Sequence, residues 1–142
     1  MVTLTQQAET VASKRYYLKD ESGEPEENAN TLLKRVAKAI ASSEKLYGKT
    51  DADTQLTEKE FYDMMSSLNF IPNSPTLMNA GTEQGTLSAC FVLPLEDSME
   101  DIMKAAHDIA MVQKFGGGTG FALSKLRPKG DKIKTTHGIA CG

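Results

Sequence analysis

Few side chains in this 142-residue sequence could do chemistry. Its two cysteines, Cys90 and Cys141, and two histidines, His107 and His137, stand far apart and form no C-x-x-C, so a zinc site is not expected. Cys90 lies within the apolar run Thr86 to Leu93. A thiol there is most simply a small buried hydrophobe, with redox or nucleophilic work as the alternative. Ser74 and Thr76 occupy a proline-bracketed stretch, Pro72-Asn73-Ser74-Pro75-Thr76. They read as turn formers, or as hydroxyl donors to a phosphate on a stiff scaffold. The run Gly116-Gly117-Gly118-Thr119-Gly120 is followed by Phe121-Ala122. A Walker loop would need Lys-Ser or Lys-Thr at that place. A dinucleotide fingerprint is excluded as well, because the run is expected to leave a helix and open a strand instead of the reverse. What stays open is a close-approach turn or a set of backbone N–H groups facing an anionic ligand. Asp97 could cap a helix or accept a ligand hydroxyl. Arg127, Lys114, Lys125 and Lys129 are solvated charges by default and phosphate contacts otherwise.

The elements that must position these groups follow from periodicity and capping. Residues 1–16 form a weak helix candidate through Leu4, Ala8 and Val11, and the acidic stretch 19–27 reads as an exposed loop. From Asn30 a clearer helix places Leu33, Val36, Ala37, Ile40 and Tyr47 on one stripe, with Gly48 as its stop. Thr57-Glu58-Lys59-Glu60 has the form of a capping box, followed by the core stripe Phe61, Met64, Met65, Leu68. Pro72 and Pro75 then impose a long loop. Thr86 to Leu93 is expected as a mostly buried strand closed by Pro94. Asp97 or Ser98 caps a further helix with Met99, Ile102, Met103, Ala106, Ile109, Ala110 and Gln113 as its inner face. Phe121 to Leu123 is expected as a second strand, and Arg127 to Asp131 as a turn.

Composition narrows the class. The chain is 39% hydrophobic and 25% charged, with seven Met, no Trp and a net charge of −3, which is ordinary for one globular domain. The charge is uneven: +1 over residues 1–50, −8 over 51–100 and +4 over 101–142. A general nucleic-acid footprint is therefore not expected, although the glycine-rich last third could meet phosphates. With no apolar leader segment and no run of about 18 apolar residues, a reduced, cytoplasmic setting without membrane insertion is expected.

Taken together, Phe70-Ile71-Pro72-Asn73-Ser74-Pro75-Thr76-Leu77-Met78-Asn79-Ala80-Gly81, Leu87 to Pro94, Glu96-Asp97-Ser98-Met99, the Gly116 to Phe121 run and Leu126-Arg127-Pro128-Lys129-Gly130 resemble the large-chain ribonucleotide reductases. The adenosylcobalamin-dependent class II is the nearest match. The pattern runs in the family's order from about residue 58 to 140, and Lys14 to Asp20 resembles the opening segment of class II. The resemblance implies an α+β piece: a helical N-terminal domain over residues 1–72, then the first strands and helix of a ten-stranded α/β barrel over 73–142. Cys90 matches the first cysteine of the redox-active pair, whose partner lies outside this chain. Ser74, Ala89, Cys90 and Gly118 match substrate-binding positions, Ser74 at the phosphates. Asp97, Arg127 and Lys114 match contacts to an allosteric effector, Asp97 at its sugar and Arg127 at its phosphates.

Further expectations follow from the same resemblance. The substrate is a ribonucleoside di- or triphosphate, the effector a deoxynucleoside triphosphate, the cofactor adenosylcobalamin and the reductant thioredoxin-like. Cobalamin homolysis would create a thiyl radical that takes the ribose 3′ hydrogen. The complete enzyme is expected to be a homodimer that uses neither membrane nor polymeric nucleic acid. The radical cysteine has no counterpart here, so the isolated chain is not expected to reduce ribonucleotides. The pattern departs at Cys141, where Ser is expected, and a fragment, one piece of a split reductase or an intein junction would explain the ending. Two other readings are carried: a non-catalytic nucleotide-binding or assembly subunit of a split reductase, and an orphan helical fold that keeps the motif residues for packing.

Overall fold

The computed structural model describes residues 2–133 and 136–141. The elements in chain order are α1 (Gln6–Arg15), α2 (Ala29–Ala41), a 3-10 turn (Ser42–Tyr47), α3 (Asp51–Ser66), α4 (Ser74–Asn79), β1 (Cys90–Val92), α5 (Met99–Lys114) and β2 (Gly118–Gly120). Two compact units result, dividing after Ser88. The Pro-bracketed stretch stays with the first unit because Arg35 on α2 donates to the carbonyls of Leu77 and Ala80, at 3.1 and 2.6 Å.

The first unit is helical and centres on α2. Asn28 and Thr31 form a reciprocal cap at its start, satisfying backbone N–H groups that the helix itself leaves unpaired. Leu32, Leu33, Val36 and Ala37 are buried on one side and meet Ala12, Tyr17, Met65, Leu77 and Ala80. The expected stripe ends early. After Ala41 the backbone tightens to 3-10, which changes the angle per residue, and Tyr47 emerges 80% exposed before Gly48 reverses the chain at φ 76°.

Helix α3 starts earlier than expected. The working cap is Thr50 with Asp53, while Thr57 to Glu60 lie inside the helix, where every backbone N–H already has a partner. Of the expected core stripe, Met65 is buried and Phe61 partly so, whereas Leu68, beyond the helix at φ 60°, is half exposed. The expected loop after Pro72 contains the short helix α4. Asn73 caps it by accepting from the N–H of Thr76 at 3.1 Å, and Pro75 in the first turn loses no bond, since N–H groups there have no intrahelical partner.

The second unit joins β1 to β2 in parallel through α5, in the register Cys90↔Gly118, Phe91↔Thr119, Val92↔Gly120. This corrects two expectations. The strand at the Cys90 segment has three residues, with Cys90 exposed and Val92 90% exposed, so it is not mostly buried. The second strand is the glycine run itself, and Phe121 to Leu123 follow it outside the sheet. Ser98 caps α5, accepting from Asp101 N–H at 3.0 Å, which leaves Asp97 for other work. On α5 the covered stripe is Ile102, Ala105, Ile109 and Val112, while Met99, Met103, Ala106, Ala110 and Gln113 are exposed. The Arg127 to Asp131 turn is present and leads into an antiparallel bridge between Lys132 and Ile139. No helix among the described residues is long and apolar enough to cross a membrane.

Candidate functional site

In the second unit Cys90 opens β1 beside the glycine strand. The N–H of Gly118 donates to the Ala89 carbonyl at 2.7 Å, a short bond that locks the two backbones together at the cysteine. A methyl group built on Gly118 would stand 3.8 Å from Cys90 Sγ and 3.5 Å from Ala89 O. With glycine there, the sulfur's flank carries no side chain and a ligand can come close to both backbones. Gly117 has a different task, since a Cβ on it would fall 2.7 Å from Val112 Cγ1 and 2.9 Å from Phe91 Cε2. Its missing side chain lets α5 and β1 pack against the turn.

Asp97 and Arg127 also come together in this unit. Arg127 Nε donates to Asp97 Oδ2 at 2.7 Å and its Nη2 to the Asp97 carbonyl at 3.2 Å, with each side chain about one-third exposed. Lys125 and Glu96 form a neighbouring, more exposed pair. The paired segments therefore hold a carboxylate and a guanidinium side by side at the surface, one suited to a hydroxyl and the other to an anion. Lys114 ends α5 with its ammonium 5.7 Å from the Phe115 ring centre.

Ser74 belongs to the first unit, as the first residue of α4. Its Oγ lies 3.1 Å from the hydroxyl of Tyr16, which closes α1. The single hydroxyl proton of Thr76 has two acceptors in reach, Asn73 Oδ1 at 2.6 Å and the Leu87 carbonyl at 3.2 Å. Beneath them Arg35 forms a two-pronged pair with Glu27, at 2.8 and 2.9 Å, and also donates to the Tyr16 carbonyl at 3.3 Å. Sequence reasoning missed Tyr16, Glu27 and Arg35 as parts of this arrangement. Nothing in local spacing brings them together, although an arginine on the helix stripe next to Leu32, Leu33 and Val36 is a signal that its charge has a buried partner.

The histidines fit their bland readings: His107 is on an exposed face of α5 beside Asp108, and His137 is in a turn. No group of three metal-ligating side chains occurs among the described residues.

Comparison with known proteins adds the family. A model described as the ribonucleotide reductase all-alpha domain matches residues 2–85, and one described as the ribonucleotide reductase barrel domain matches residues 88–142. The chain is 44% identical over 135 residues to the vitamin B12-dependent ribonucleoside-diphosphate reductase of Mycobacterium tuberculosis (strain CDC 1551 / Oshkosh), covering 95% of this chain and 19% of that protein. It is 38% identical to the protein of the same description from Thermoplasma acidophilum, covering 98% of this chain and 25% of that one. The ribonucleoside-diphosphate reductase subunit alpha of Bacillus subtilis is 39% identical over 85 residues. This chain therefore spans about a fifth to a quarter of the length of the first two.

Proposed function

The chain belongs to the ribonucleotide reductase large-chain family, and from that premise we propose that it supplies substrate-binding, redox and effector-binding groups to a reductase that makes deoxyribonucleotides. The observation that carries this reading is the exposed Cys90 thiol on β1, with Ala89 and the side-chain-free Gly118 locked beside it. In the net reaction the C–O bond at the ribose 2′ position breaks and the hydroxyl leaves as water. Two thiols supply the two electrons and become a disulfide, so one ribonucleotide and two thiols yield one deoxyribonucleotide, one disulfide and one water. Cys90 is one of these thiols and its partner lies outside this chain. A thioredoxin-like dithiol then restores the pair by exchange.

Ser74 binds the substrate phosphates, while Ala89 and Gly118 bring bare backbone close to the nucleotide. Asp97 accepts a sugar hydroxyl of a deoxynucleoside triphosphate effector, and Arg127, with Lys114, binds its phosphates. The substrate is a ribonucleoside di- or triphosphate, and the complete enzyme is a cytoplasmic homodimer. The relatives from Mycobacterium tuberculosis and Thermoplasma acidophilum carry vitamin B12 in their names, and adenosylcobalamin is proposed as the cofactor here. The described residues do not themselves present a corrin site: two grooves of the helical unit are lined mainly by apolar side chains, aromatic ones included, a third by Lys, Glu, Gln and Tyr, and no cluster of metal-ligating side chains occurs among the described residues. Its binding is assigned to other parts of the enzyme.

The test is Cys90→Ser in the complete reductase. Repeated turnover is expected to be lost, with nucleotide affinity within about twofold of the parent. Normal turnover by that variant would remove Cys90 from the reaction and favour a nucleotide-binding or assembly role for this piece.

A further inference from the structure

We propose that Tyr16 is a positioning residue for substrate binding, whose phenol turns the Ser74 hydroxyl toward the nucleotide's phosphate. The inference rests on the reading of Ser74 as a phosphate contact, and it concerns how that contact is made selective for an acceptor-only anion.

The geometry is specific. The hydroxyls of Tyr16 and Ser74 lie 3.1 Å apart although 58 residues separate them in the chain. Each is fixed by the same buried group. Arg35 holds the Tyr16 carbonyl through Nη2, and holds α4, which begins at Ser74, through the carbonyls of Leu77 and Ala80. Glu27 fixes the guanidinium in turn, with both side chains nearly nine-tenths buried. The Arg15 guanidinium lies 5.8 Å from the Tyr16 ring centre, a cation on the ring's face that further restricts it. The two hydroxyls are thus carried by α1 and α4 on one rigid hub.

The chemistry of the pair sets a direction. A serine hydroxyl has one proton to donate and two lone pairs to accept with. A phosphate oxygen only accepts, so Ser74 is useful to it only if its proton points outward. A phenol is the more acidic hydroxyl, and in a Tyr–Ser pair it is the better donor. When Tyr16 donates to Ser74 Oγ, the serine proton is left for the phosphate, and polarisation along the chain strengthens that second bond. Without the phenol, Ser74 is free to rotate and spend its proton on a nearby carbonyl. Tyr16 and Ser74 are both half-buried, so neither is sealed within the core.

The adjacent tyrosine provides an internal control. Tyr17 is buried, and its phenol donates to Glu9 on α1 at 2.8 Å instead of to Ser74. The experiment uses the complete reductase that contains this segment, with steady-state kinetics and equilibrium substrate binding for the parent, Tyr16→Phe, Ser74→Ala, their combination, and Tyr17→Phe. Tyr16→Phe is expected to raise the KM for the ribonucleotide about three- to tenfold, with kcat within about twofold and effector affinity unchanged. Ser74→Ala is expected to do at least as much, and the double variant no more than Ser74→Ala alone, because the phenol acts only through the serine. Tyr17→Phe should leave KM unchanged. An unchanged KM in Tyr16→Phe beside a raised KM in Ser74→Ala would overturn the inference and leave the phosphate role of Ser74 standing. Additive effects would also overturn it, by giving Tyr16 an action of its own. An unchanged KM in Ser74→Ala would remove the phosphate reading and the inference with it.

Discussion

The hub under α4 makes a prediction about order as well as size. Glu27→Gln keeps the shape of the side chain and an oxygen for the Leu18 N–H, now 2.9 Å away, but removes the charge opposite Arg35. Removing one partner of a buried pair typically costs about 3–5 kcal/mol. With 10–12% of each side chain still reached by water, the lower end applies, about 3 kcal/mol. Arg35→Met should cost more. It leaves the Glu27 carboxylate without its cation and also strips hydrogen bonds from the carbonyls of Tyr16, Leu77 and Ala80. Buried carbonyls left unpaired add about 1–3 kcal/mol each, and partial rescue by water brings the total to roughly 5 kcal/mol. All four tyrosines lie within residues 1–88 and the chain has no Trp, so tyrosine emission during urea unfolding reports on the helical unit. At a slope of about 1–3 kcal/mol per molar urea, Glu27→Gln should lower the midpoint by roughly 1–3 M and Arg35→Met by clearly more. Equal losses, the reverse order, or a loss under about 1 kcal/mol in both would refute the assignment of Arg35 as a carbonyl-binding hub.

Three further outcomes are expected. Gly117→Ala should destabilise the second unit by about 1–3 kcal/mol, because the added methyl meets Val112 and Phe91 inside normal contact, and adding Val112→Ala should recover much of the lost heat-unfolding midpoint. Burial, with the nearby Glu9 carboxylate, pushes the Tyr17 phenol well above its ordinary range. Its contribution to stability is thus fully present below about pH 10 and is lost as pH rises through the raised folded value, so urea midpoints should fall on the alkaline side and Tyr17→Phe should flatten that decline. Arg127→Ala in the complete reductase should weaken binding of a deoxynucleoside triphosphate effector by about ten- to a hundredfold, the range for a hydrogen bond to a charged group, as read by equilibrium dialysis.

Much of the architecture is legible in the residue pattern. The α2 stripe, Gly48 as the terminator of the segment after it, a helix opening at Asp97 or Ser98 and the turn at Arg127 to Asp131 all depend on neighbours within a turn or two. Misreadings arose where two local signals compete. Thr50-Asp53 and Thr57-Glu60 both have the form of a cap, and the helix takes the earlier one, with Thr54 and Met65 buried towards its two ends. Helix α5 carries apolar residues on two adjacent stripes, and only the sheet it crosses over decides that Ile102, Ala105, Ile109 and Val112 are covered while Met99 and Met103 are exposed.

The candidate site divides in the same way. The resemblance of the ordered motifs to the reductase family is what singles out Cys90, Ser74, Asp97 and Arg127 as candidates. The chain's partners for those residues were not legible. Asp97 reads as a cap until Ser98 takes that role and Arg127 arrives from 30 residues away. Cys90 reads as buried until a strand of glycines, with nothing to cover it, pairs alongside. The sequence by itself thus placed the longer helices, since propensity, capping and periodicity are short-range, while the six-residue α4 reads as a loop and the candidate site residues come from the family resemblance. Only the tertiary structure decided which strand lies beside Cys90, which charge faces Asp97 and which hydroxyl meets Ser74, because those pairings form between distant segments whose approach is set by packing.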